Sequence, residues 1–128
     1  MDKYLLYADD DADDRMLLVD AIGSIAPHYE VKTVPDGYAT LKYLKDQTPP
    51  YPCLLIVDLN MPGINGKEII RRLKQDLNYT MFPIVAFTTS ANPSDKEECA
   101  RFGVDLITKP LDMDALEHAA AKLLEYCQ

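Results

Sequence analysis

Several charged side chains in this chain stand where charge is costly. Asp58 directly follows the apolar run Leu54-Leu55-Ile56-Val57 and directly precedes Leu59-Asn60-Met61-Pro62-Gly63. A short run of this kind reads as a strand buried on both faces, and an ionised side chain belongs at its end, where the chain surfaces. In open α/β sheets, sites form in the crevice at the carboxyl ends of the strands, so Asp58 is a candidate for such a crevice. The other reading of the same stretch is an Asp that starts a turn or caps the next helix. Asp9 and Asp10 close the run Tyr4-Leu5-Leu6-Tyr7-Ala8, and five of the six residues from Asp9 to Asp14 are Asp. A helix dipole favours carboxylates in its first turn, which accounts for Asp11, Asp13 and Asp14. Asp9 and Asp10 precede that turn, and like charges crowded at a strand end require a cation to neutralise them. Thr88 follows Pro83-Ile84-Val85-Ala86-Phe87, and Lys109 follows the short strand expected over Asp105 to Thr108. On a parallel sheet all these ends share one edge. Asp9, Asp10 and Asp58, with no His or thiolate among them, form a hard-oxygen site suited to Mg²⁺. Lys109 and Thr88 could supply the charge and hydrogen bonds that a transferred phosphoryl group requires, and a carboxylate nucleophile would give an aspartyl-phosphate.

The elements that must position these groups alternate along the chain. Strands are expected at residues 4–8, 30–34, 54–57, 83–87 and 105–108, each followed by a helical segment. Leu18, Ile22 and Ile25 recur at helical spacing before Pro27, and Pro35-Asp36-Gly37 turns into a helix carrying Ala39, Leu41 and Leu44. The segment from Asp46 to Pro52, with three prolines, runs extended over the surface. Gly63 and Gly66 flank Ile64-Asn65 as loop glycines of the kind that permit positive φ, ahead of a helix with Ile69, Ile70 and Leu73. Ser94-Asp95-Lys96-Glu97 reads as the capping box of a fourth helix, and Gly103 as its stop. Leu116, Ala119, Ala120, Leu123, Leu124 and Cys127 form the apolar stripe of the last helix. Five strands alternating with five helices predict a doubly wound, largely parallel α/β sheet.

Composition narrows the function. A chain of 128 residues fits one domain, and its net charge of −8 repels nucleic acid and anionic membrane surfaces. Cys53, Cys99 and Cys127 are widely spread and odd in number, which reads as free thiols in a reducing compartment, with cytosol the default. Met1-Asp2-Lys3 leads straight into a strand with no long apolar segment, so neither export nor membrane spanning is expected. An EF-hand alignment of Asp9, Asp11, Asp13 and Asp20 fails because Asp14 occupies the position that needs Gly. A flavin carrier on a similar sheet would need a Gly/Ser/Thr-rich phosphate loop where this chain has Asp. His28 and His118 have no partner spacing and read as surface residues.

These motifs together resemble the receiver domain of two-component response regulators. Asp9-Asp10 is similar to the family's metal-binding acidic pair, and Val57-Asp58-Leu59-Asn60-Met61-Pro62-Gly63 with Gly66 to its phosphoacceptor motif. Phe87-Thr88-Thr89-Ser90 is similar to its switch-hydroxyl region, and Thr108-Lys109-Pro110 to its Lys-Pro motif. The resemblance covers nearly the whole chain and implies one receiver domain over residues 1–128 on a flavodoxin-like (βα)5 fold with strand order 2-1-3-4-5. It implies that Asp58 accepts a phosphoryl group from a histidine kinase or phosphotransfer protein. It further implies Mg²⁺ held by Asp10, Asp58 and the backbone carbonyl of Asn60, with Asp9 acting mainly through water. Thr88 and Lys109 would hold the phosphoryl oxygens, a cis Lys109–Pro110 peptide would aim the lysine inward, and the side chains of Asn60 and Ser90 would tune hydrolysis. Many members carry Tyr or Phe three residues before the Lys, where this chain has Leu106, so signalling would run through Thr88 and the surface around the fourth helix and last strand and helix. The Pro-rich loop and the Thr-Thr-Ser run look most like the small stand-alone regulators, including those paired with phytochrome kinases. With no output domain in the chain, the output is expected to be a downstream protein or a phosphorelay. The alternative is a receiver-like interaction module that works without phosphate.

Overall fold

The computed structural model describes residues 3–79, 82–89 and 92–127. Five strands, β1 (Tyr4–Ala8), β2 (Glu30–Val34), β3 (Leu54–Val57), β4 (Ile84–Thr88) and β5 (Asp105–Thr108), alternate with helices α1 (Ala12–Ile25), α2 (Gly37–Asp46), α3 (Gly66–Lys74), α4 (Pro93–Arg101) and α5 (Met113–Glu125). A short 3-10 helix, Leu77–Tyr79, precedes β4. The strands form one parallel sheet in the order β2-β1-β3-β4-β5.

The three central strands are buried along their whole length because helices cover both faces of the sheet. Period-two alternation sorts their side chains. Leu5, Tyr7, Leu54, Ile56, Val85 and Phe87 pack beneath Leu18 and Ile22 of α1 and Ala120 and Leu123 of α5. Leu6, Ala8, Leu55, Val57, Ile84 and Ala86 face Leu44, Ile69, Ile70, Leu73 and Cys99 of α2, α3 and α4. Burying a Leu or Ile of this kind contributes roughly 1.5–3 kcal/mol. Ile25 departs from the expected stripe of α1 and lies exposed, while Ala21 and Ala26 join the core.

Each helix opens on an Asx residue whose side chain accepts a first-turn N–H: Asp11, Asp36, Asn65, Asn92 and Asp112. The fourth helix therefore does not begin at Ser94. Asn92 accepts from the Asp95 N–H at 2.8 Å, and Pro93, which has no N–H to satisfy, takes the first turn. Gly103 ends the helix region at φ +70°.

The two loop glycines after β3 serve different ends. Gly63 has φ +76°, whereas Gly66 does not have positive φ; it lies so close to the strand that an added Cβ would stand 2.4 Å from the Asp58 carbonyl oxygen and 2.8 Å from the Leu59 Cα. Gly66 thus lets α3 start against the backbone of the residue that carries the candidate nucleophile.

The thiol expectation is overturned at two of three positions. Cys53 and Cys127 form a disulfide, while Cys99 is a buried free thiol. In a parallel α/β sheet each helix runs back to the amino edge, so the end of α5 meets the start of β3, 74 residues away in sequence. Lys3 Nζ donates to the Cys127 carbonyl at 2.9 Å beside it. Among the described residues no helix is long and apolar enough to cross a membrane.

Two outcomes follow from this packing. Gly66→Ala should cost about 1–3 kcal/mol in urea unfolding because backbone atoms must move, whereas Gly23→Ala, with nothing within 4 Å of an added Cβ, should be neutral or stabilising. Alkylation of the oxidised, denatured chain should label Cys99 alone, and labelling of Cys53 or Cys127 would contradict the pairing.

Candidate functional site

The carboxyl edges of β1, β3, β4 and β5 bring the remote polar residues together. Asp9 is fully buried, Asp58 is 6% exposed, Thr88 is fully buried and Lys109 is 9% exposed, whereas Asp10 lies open to solvent. One carboxylate oxygen each from Asp9, Asp10 and Asp58 lies within 4.8 Å of the others.

Lys109 is the hub. Its Nζ donates to Asp9 Oδ2 at 2.6 Å, Asp14 Oδ2 at 2.9 Å and Asp58 Oδ2 at 3.1 Å. Burial alone would lower the lysine's pKa, but hydrogen bonds to Asp9 and Asp14 and the charges of Asp58 and Asp9 hold it above its ordinary value. The ammonium therefore stays charged. Asp58 moves the other way from a paired acid: burial raises its pKa, outweighing the Asn60 N–H and Lys109 that lower it.

A cis bond is not what turns the lysine inward. Among the described residues the cis peptide is Pro49–Pro50, and Lys109–Pro110 is trans. Lys109 is placed by its own backbone N–H, which donates to the Thr88 carbonyl at 2.8 Å, and by the three carboxylates that receive its ammonium.

Asn60 spans the crevice. Its backbone N–H donates to Asp58 Oδ1 at 3.0 Å and its side-chain amide to Thr88 Oγ1 at 3.1 Å, so the Asp58 carboxylate and the Thr88 hydroxyl are joined through one residue. Leu106 is half-buried and packs against the core beneath α2, α3 and α4. Ser90 lies outside the described residues. Lys67 on α3 pairs with the buried Asp95 and with Glu98 at 3.2 Å, tying together the helices that follow the β3 and β4 loops.

Two participants escaped the sequence reading. Asp14 reads as a first-turn charge, yet its carboxylate reaches Lys109. Tyr7, fully buried, donates its hydroxyl to Asp9 Oδ2. The signal for Tyr7 was present: residues i and i+2 of a strand share a face, and a tyrosine there needs a partner for its hydroxyl.

The donor set suits a hard divalent cation. Oxygen ligands converge without nitrogen or sulfur, and Asp9, Asp10, Asp14 and Asp58 together exceed the single charge of Lys109. The acidic pocket is compatible with metal binding.

Known proteins share this fold and family pattern. The family model described as the response regulator receiver domain matches residues 5–121. Sensor histidine kinase RcsC of Salmonella typhi is 33% identical over 125 residues, covering 97% of this chain but only 12% of that protein's length. Response regulator Rcp1 of Synechocystis sp. is 30% identical over 97 residues, covering 73% of this chain and 66% of that protein. The phosphorylated cyanobacterial phytochrome response regulator RcpA superposes with a TM-score of 0.88 at 27% identity, covering 98% of this chain and 94% of that one. The Mn²⁺-bound form of Rcp1 superposes with a TM-score of 0.83 at 26% identity, covering 94% and 90%. With the motif residues gathered at one sheet edge and the family match running through both outer strands, this chain belongs to the response regulator receiver domain family.

Proposed function

We propose that this receiver domain is a single-domain response regulator that accepts a phosphoryl group on Asp58 from a histidine kinase or phosphotransfer protein, in a Mg²⁺-dependent reaction, and signals through a partner protein or a phosphorelay. The observation that carries this reading is the buried Asp58 carboxylate with Lys109 Nζ at 3.1 Å and acidic neighbours on its open side. A cytoplasmic setting follows from a kinase donor of this class. RcsC and Rcp1 support the kinase connection as relatives, one a sensor kinase and the other a response regulator.

A carboxylate oxygen of Asp58 attacks phosphorus, forming an O–P bond as the bond to the donor's imidazole nitrogen or acyl oxygen breaks and the leaving group keeps the electron pair. Asp10, Asp58 and the Asn60 carbonyl would hold Mg²⁺, with Asp9 engaged through water. The ion, when bound, offsets the negative charge that Asp58 and the incoming phosphoryl group would otherwise oppose to each other. Lys109, already charged and already at Asp58, stabilises the oxygen on which further charge develops. Thr88 Oγ1, held at the crevice by the Asn60 amide, is the hydroxyl to meet a phosphoryl oxygen, and that contact draws it away from Asn60. Hydrolysis reverses the state, with the side chains of Asn60 and Ser90 at the positions that tune it. The product is a signalling state, not a released metabolite.

A phosphate-independent interaction module is the second reading, and Leu106 favours it, because an aliphatic side chain offers no aromatic flip to report on Thr88. Beryllofluoride with Mg²⁺ separates the two: chemical-shift changes around Thr88 and β5 support the phosphoacceptor, and an unmoved spectrum supports the module.

With Mg²⁺ and acetyl phosphate, intact-mass measurement should show one added phosphoryl group on the wild type and none on Asp58→Asn; equal labelling of both would sink the assignment. Lys109→Met should slow labelling about 10²-fold or more while leaving the labelled residue unchanged, read from initial rates. Because burial holds the Asp58 pKa above its ordinary value, protons compete with the metal. Mg²⁺ affinity should therefore fall on acidification through that raised range, and titrations at a series of pH values should show it.

A further inference from the structure

Asp9 is the most enclosed carboxylate of the crevice, and three donors among the described residues reach it. Oδ1 accepts the Asp11 N–H at 2.9 Å, while Oδ2 accepts Lys109 Nζ at 2.6 Å and the Tyr7 hydroxyl. Two of these donors are the backbone N–H of the α1 N-cap residue and the end of a long side chain. The third is rigid. Tyr7 belongs to β1, is fully buried, and sets its ring against Phe87 of β4 with centroids 6.2 Å apart and planes tilted by 60°. Its hydroxyl is thus aimed by strand backbone and core packing.

From this geometry we infer that Tyr7 is a positioning residue, whose hydroxyl fixes the rotamer of Asp9 and thereby divides the Lys109 ammonium between Asp9 and Asp58. A buried carboxylate that loses one donor draws harder on those that remain. Without the Tyr7 hydroxyl, Lys109 moves toward Asp9 and away from Asp58, the group on which it acts in phosphoryl transfer. The ring contact with Phe87 adds a second consequence, since Phe87 immediately precedes Thr88 and the same tyrosine braces the strand that carries the switch hydroxyl. Burial, reinforced by the Asp9 hydrogen bond, raises the phenol's pKa, so the hydroxyl remains a donor at neutral pH. This assignment deepens the phosphoacceptor reading and rests on it only for its rate consequence.

Tyr7→Phe keeps the ring and removes the donor. In the metal-free protein, NMR should show a slowly exchanging Tyr7 hydroxyl proton in the wild type and a displaced Lys109 ammonium resonance in Tyr7→Phe. An unmoved Lys109 resonance overturns the inference. With Mg²⁺ and acetyl phosphate, the labelling rate at saturating donor should fall about tenfold, the low end of what loss of an outer hydrogen-bond partner costs a metal site, with the half-saturating donor concentration unchanged. Rates within twofold of a labelled wild type overturn it; a wild type that takes no label refutes the Asp58 reading instead and leaves the NMR test standing. The double-mutant cycle with Asp9→Asn guards against a merely structural effect. If Tyr7 acts through Asp9, Tyr7→Phe changes the Lys109 resonance little in the Asp9→Asn background. An undiminished change there counts against the inference.

Discussion

A lysine ammonium withdrawn from water must be surrounded by negative charge, and the site depends on how Lys109 meets that demand. Three carboxylates from three segments of chain receive it: Asp9 after β1, Asp14 in α1 and Asp58 after β3. No local sequence could build this cluster. Parallel strands must end together for the lysine after β5 to meet the aspartates after β1 and β3, across a β4 that lies between β3 and β5. The hydrophobic core is what holds those ends in register, and the ion cluster uses the placement the core provides. Breaking such a cluster on one side leaves buried charge without its counterpart, so the core and the chemistry cannot be altered independently.

The same arrangement divides the molecule into a fixed part and an adjustable one. β1, β3 and β4 have no exposed residue and carry the acids, the nucleophile candidate and Thr88. β5 is an edge strand, half exposed, with Leu106 packed on the core and α4 joined to it through Gly103. A change in charge at Asp58 would be felt through Asn60 and Thr88 on the rigid side, while the edge strand and α4 have room to answer it. The Lys67–Asp95–Glu98 group links α3 to α4.

Much of this was legible in the chain. The three central strands announced themselves as unbroken apolar runs, and the polar residues closing each run marked the edge where a site forms. What escaped did so for physical reasons. The Cys53–Cys127 pair depends on where α5 ends relative to β3, which spacing does not encode. The peptide before Pro110 can adopt either isomer in a chain, and the hydrogen bond from Lys109 N–H to Thr88 shows that the trans form already turns the lysine inward. Ser94 looks like a cap because its box is complete, but Pro93 in the first turn moves the helix start two residues earlier and hands the role to Asn92. Asp14 was hidden among helix-start charges, since the dipole explains all of them equally well. Gly66 is needed for its smallness, which its place in a loop does not reveal.

The disulfide has a mechanical meaning for the whole domain. It fastens the end of α5 to the entrance of β3 at the amino edge, the pole opposite the crevice. A helix fastened at one end can tilt but cannot slide away. While Cys53 and Cys127 remain joined, the far end of α5 is tied covalently to the start of β3, so the tie and the candidate chemistry near Lys109 and Pro110 stand at opposite ends of the sheet.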